Sequence, residues 1–246
     1  MSPTYIALII LLGVGLMAGI GFVIQDLENK KKAKSLKLIS LKTAIRRSSH
    51  LFESFPPALI TTEIRTLLCK YIEARWAAVV ELEPSDTNKQ QYSAFQAEAA
   101  TLQEPVSHPA GSVTVFSSQT EAARAMGIIK EFAQFLAELG NKGEINSDLA
   151  ERMTKDAKRL YLRVEIDIDL MNAIETEAAQ GAEVVIHQYR SCFSKLQHLN
   201  HNQILDRQLY EIRTHLTTLA EQIDQAHEAK KLAEAQEQDS GKKFNF

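Results

Sequence analysis

"LDRQLYEIRTHLTTLAEQIDQA", residues 205–226, decides the fold class. Leu205, Leu209, Ile212, Leu216, Leu219, Ile223 and Ala226 step alternately by four and three, which is a heptad seam on an α-helix. The seam is only about three heptads long. The short "HLNHN" before it, residues 198–202, favours an antiparallel hairpin with the preceding helix over an intermolecular coiled coil.

That preceding segment keeps a helical period for nearly fifty residues, from Leu149, Met153 and Leu160 through Val164, Ile168, Met171 and Ile174 to Val185, Tyr189, Cys192 and Leu196. Asn146 or Ser147 can cap its start, and Gly181 is where it bends or breaks. Further upstream, Ser118 and Glu121 form a capping box for a helix over about 119–139, with Gly140 as its stop. Residues 104–118, "EPVSHPAGSVTVFSS", are the longest irregular stretch and a candidate boundary between two helical halves. A weaker helix over 87–103 shows Tyr92, Phe95, Ala99 and Leu102 on one face. A stronger one begins after Pro56-Pro57, the second proline opening it, and ends near Glu83-Pro84.

At the other end, "YIALIILLGVGLMAGIGFVI", residues 5–24, has no charge, and twenty helical residues span about 30 Å. This reads as an uncleaved transmembrane anchor. Lys30, Lys31, Lys32, Lys34, Lys37, Lys42, Arg46 and Arg47 follow without an intervening acid. By the positive-inside rule they place the N-terminus outside and the rest in the cytoplasm, as a single-pass protein of the cell membrane, the inner membrane in a bacterium. Gly15 and Gly19 form a GxxxG pair that suits homodimerisation through the span. Lys30, Lys31, Lys32, Lys34 and Lys37 are candidates for contact with anionic lipid headgroups.

The expected architecture is therefore all-α: an anchor over 1–25, a basic juxtamembrane helix over 26–55, an all-helical domain over 56–236 ending in the long hairpin, and a disordered tail over 237–246. Of 28 basic side chains the run at 30–47 holds eight, leaving 20 against 31 acids. So acidic a remainder argues against nucleic acid as a partner.

No motif carries a reaction. There is no Gly-rich phosphate loop, no nucleophile elbow and no His-Glu-x-x-His. Cys69 and Cys192 are far apart in sequence and read as buried, reduced thiols. Glu165 and Asp169 in "VEIDIDL" share a helix face with Asp167 on another side, a pattern that suits a solvated flank better than a catalytic pair. Glu183/His187 and Glu211/His215 stand four apart, the wrong step for carboxylate-bridged metal bundles. No cofactor or metal is expected. Arg65, Arg75 and Trp76 on the second helix are candidates for lining a partner's groove. The function these features suggest is a protein-interaction module, an adaptor or scaffold, binding an unidentified protein. A ligand- or metal-binding sensor or enzyme, and a structural coiled-coil oligomer, are the alternatives.

Overall fold

The computed structural model describes the backbone of residues 3–101, 108–201 and 203–242; the side chains of residues 3–21, Val23 and 235–242 lie outside the description. Among the described residues there are seven helices and no strand: α1 Pro3–Ser54, α2 Thr62–Leu82, α3 Asp86–Ala100, α4 Gln119–Asn141, α5 Ser147–Gln180, α6 Ala182–Leu199 and α7 Asp206–Lys242. The all-α expectation is met.

The transmembrane expectation is corrected. Among the described residues no helix is long and apolar enough to cross a membrane, which overturns the anchor and the single-pass topology inferred from it. The physical reason lies in the described part of α1: from Phe22 onward, Asp26, Glu28 and the five lysines at 30–37 leave no room for about 20 apolar residues in a row. The run Tyr5–Ile24, apart from Phe22 and Ile24, and with it Gly15 and Gly19, falls outside the residues whose side chains are described. So does the whole of the expected tail over 237–246.

The chain divides into two compact units: Met1–Glu53 with Glu63–Gln103, and Ser54–Thr62 with Glu104–Phe246. In the first, Leu41 and Ile45 of α1 pack with Ile72 and Val79 of α2 and Phe95 of α3, edged by Leu38, Phe52 and Trp76. A polar knot closes the turn between α2 and α3. Ser85 caps α3 by accepting from the Asn88 N–H at 3.2 Å, and the buried Asn88 amide donates to the Glu83 carbonyl at 2.9 Å and to its carboxylate at 3.0 Å. Pro57 does not open a helix. Residues 56–60 form a turn in which the Leu59 and Ile60 N–H groups donate to the Pro56 carbonyl, and α2 begins only at Thr62.

In the second unit α4, α5, α6 and α7 pack in sequence. Ser118 accepts from the Glu121 N–H at 3.2 Å as its capping box requires, but the Glu121 carboxylate returns to Ser117 rather than to Ser118. Gly140 is not the stop. α4 runs on to Asn141 and closes in a Schellman turn: Gly143, at φ +68°, donates to the Gly140 carbonyl and Glu144 to the Leu139 carbonyl. Gly140 instead allows close packing of α4 on α5, since a Cβ there would sit 3.0 Å from the Ala150 methyl. Gly181, at φ +85°, breaks the long helical period into α5 and α6.

The hairpin folds on itself. Tyr189 meets His215, Phe193 meets Arg213 and Glu183 meets His227, so α6 and α7 run antiparallel. Leu205, Ile212 and Leu219 are fully enclosed against Val185, Tyr189, Cys192 and Leu196. Leu209, Leu216 and Ile223 are half-buried beside them. Each fully enclosed Leu or Ile contributes roughly 1.5–3 kcal/mol, so the seam holds the hairpin without a partner chain.

Candidate functional site

Three polar features of the second unit stand out. The first is buried. Asp167, 1% exposed, projects from α5, and its two oxygens accept backbone N–H groups from successive residues of the preceding loop, Val115 at 2.8 Å and Phe116 at 3.0 Å. Gln208 of α7 donates to Asp167 at 3.1 Å and to the Val113 carbonyl at 3.1 Å, and its own carbonyl oxygen accepts from Arg163 Nε at 3.3 Å. Burial pushes the Asp167 carboxyl up, while the two backbone donors and Arg163 oppose that. Burial also lowers the Arg163 guanidinium to about 10, with Asp167 acting the other way. This cluster ties the 113–116 loop to α5 and α7. It is also where the sequence reading falls short: the alternation of "VEIDIDL" gave Asp167 no priority over Glu165 and Asp169.

A second layer lies further along the same three helices. Glu177 of α5 accepts from the Tyr189 hydroxyl of α6 at 2.8 Å, and its same oxygen lies 2.8 Å from His215 Nε2 of α7. The Tyr189 and His215 rings meet edge to face at 4.8 Å. Burial, followed by the bond to the carboxylate, raises the Tyr189 hydroxyl well above the usual phenol range, so it stays a donor. His215 thus finds its acid on another helix; Glu211, four residues away, pairs with Arg207 at 2.9 Å instead. Glu183 likewise faces His227 at 3.6 Å rather than His187.

The third feature is an open groove of about 260 Å³ between α6 and α7, lined by Glu183, Ile186, His187 and Arg190 from one helix and Ala220, Ile223 and Asp224 from the other. Ile186, Ala220 and Ile223 are its apolar lining and are buried or half-buried; Glu183, His187, Arg190 and Asp224 are exposed and make the open surface more polar than apolar.

The remaining candidates are dispersed. Among Glu165, Asp167 and Asp169, the outer two are exposed, and Asp169 pairs with Lys195 at 2.9 Å. His198 and His201 are exposed at the hairpin turn. Among the described residues no group of three or more His, Cys, Asp or Glu side chains is placed to hold a metal ion. Cys69 and Cys192 are free and buried; burial raises both thiols, Cys192 to about 11, so neither is a ready nucleophile.

In the first unit the Arg75 guanidinium stacks over the Tyr71 ring at 4.7 Å, and Trp76 packs against the Ile72–Val79 core. Arg65 lies ten residues away, about 15 Å along the axis of α2. Lys30, Lys31, Lys32, Lys34 and Lys37 are all exposed, with Lys30 paired to Asp26 at 2.7 Å. Leu36, between Lys34 and Lys37, is 68% exposed.

No family model, curated protein or solved structure matches this chain.

Proposed function

We propose that this chain is a helical protein-interaction module and that the α6–α7 groove receives an apolar side chain of its partner. The observation that carries the reading is the groove's size and lining. Sites for small ligands enclose roughly 300–1,000 Å³, and an open groove of about 260 Å³ is better matched to one anchoring side chain. Ile186, Ala220 and Ile223 supply the apolar floor, and the exposed Glu183 and Asp224 favour a partner that places basic groups beside its anchor. The α6–α7 face is preferred over α2 because Trp76, the aromatic candidate there, is engaged in its own core.

For Lys30–Lys37 an acidic protein surface is preferred over lipid headgroups, since acidic side chains beside an apolar groove exist on this same chain. The test is affinity capture with the full chain beside its Ile223→Asp variant, which sets a charge in the groove floor. A protein held by the first and lost from the second supports the reading. Capture of the same set by both would remove the groove from it.

A further inference from the structure

The groove and the lysine helix complement one another. Leu36 is an exposed apolar side chain flanked by Lys34 and Lys37, on a stretch of α1 where every described side chain from Ile24 to Lys37 is exposed. The groove sets three apolar side chains, Ile186, Ala220 and Ile223, among the polar groups Glu183, His187, Arg190 and Asp224. Resting on the reading above, we infer that the groove's partner is a second copy of this chain, which seats Leu36 against Ile186, Ala220 and Ile223 and sets Lys34 and Lys37 toward Glu183 and Asp224. Such a contact is heterologous, because the two surfaces differ. Each copy then carries one donor and one acceptor face, and assembly grows with concentration unless the geometry closes it. Arg190 opposes the contact: Glu183 and Asp224 face one fixed base, a modest field that salt weakens.

The experiment is sedimentation velocity on the full chain over a concentration series at low and high salt. The expected result is association that weakens with salt. Lys34→Glu/Lys37→Glu and Glu183→Lys/Asp224→Lys should each sediment as a non-associating species, and mixing the two should restore association, because reversed charges again face their opposites. Arg190→Glu should tighten association by about tenfold, which is 1.4 kcal/mol. All substituted side chains are exposed, and circular dichroism checks that the helices persist. A wild-type chain that stays monomeric throughout overturns the inference, as does association that both charge reversals leave unchanged. If the wild type is monomeric while groove-dependent capture of another protein holds, the partner is foreign and the interaction function stands.

Discussion

Two acidic sites of the same helical unit behave in opposite ways. Asp167 is 1% exposed, and its oxygens are committed to two backbone N–H groups and to Gln208. Glu183 and Asp224 are exposed on the groove, and His227 Nε2 lies 3.6 Å from the Glu183 carboxylate, beyond hydrogen-bond distance. A buried charge must find all its partners inside the chain or raise the free energy of the fold. An exposed one is solvated already, contributes little to stability, and can take a partner from outside. Position thus sorts these carboxylates into one that holds a loop and two that stay in water.

The sharpest way to break this comparison is at Asp167. Asp167→Ala leaves Arg163 buried without its compensating charge and strips Val115 and Phe116 of their acceptors. Removing one partner from a buried charge pair costs about 3–5 kcal/mol, so urea denaturation should show a loss of that order. A loss under about 1 kcal/mol would mean that the loop lets water in and that the cluster is not the anchor its geometry suggests. Next in size is Gly143→Ala. At φ +68° an L-residue is strained by roughly 1–2 kcal/mol, and the α4–α5 turn should lose about that much, read by the same denaturation.

On the rim the stability effect should be smaller. Glu183→Lys and Asp224→Lys replace exposed side chains outside the core, and such substitutions stay within about 0.5 kcal/mol. Their effect should appear in binding alone. If either shifted the denaturation midpoint as much as Gly143→Ala does, the rim would be part of the fold and the contrast with Asp167 would fail.

The sequence disclosed features that depend on local spacing. Helix periods, the Ser118–Glu121 cap and the self-closing 205–226 seam all follow from contacts within a few turns or across one short connection. The burial of Asp167 was not legible, because its partners lie 51 and 52 residues upstream and 41 downstream. The trace it left was a charged pair one turn apart, Arg163 and Asp167, beside an apolar stripe. Glu177 with His215 was hidden similarly by a separation of 38 residues. Gly140 was taken for a helix stop because it follows the last apolar position, Leu139. The residue with the left-handed backbone that ends α4 is Gly143, and Gly140 makes room for Ala150. The basic helix was read through the apolar run before it, so its lysines were assigned to a membrane. In the described structure these five lysines are exposed along α1.

The smallest predicted effect concerns pH and probes the loop from its other end. His108 Nε2 faces the Ser112 carbonyl at 2.6 Å, so that nitrogen carries the proton, and Nδ1 is buried without a partner among the described residues. Burial holds the imidazole below its ordinary value of 6.5; Arg163 and Arg207 act the same way, while the Ser112 bond and Glu211 oppose them. The folded chain therefore favours neutral His108, and the unfolded chain takes up the proton first as pH falls. The stabilisation from neutral His108 is complete above about pH 6.5 and is lost as pH drops through the lower folded value. His108→Gln keeps an N–H for Ser112 but cannot titrate, so the fall in thermal midpoint between neutral and mildly acidic pH should be shallower than in the wild type. Parallel curves for the two proteins would show that the 108–112 turn opens before His108 is protonated, and would assign the hold on this loop to Asp167 and Gln208 alone.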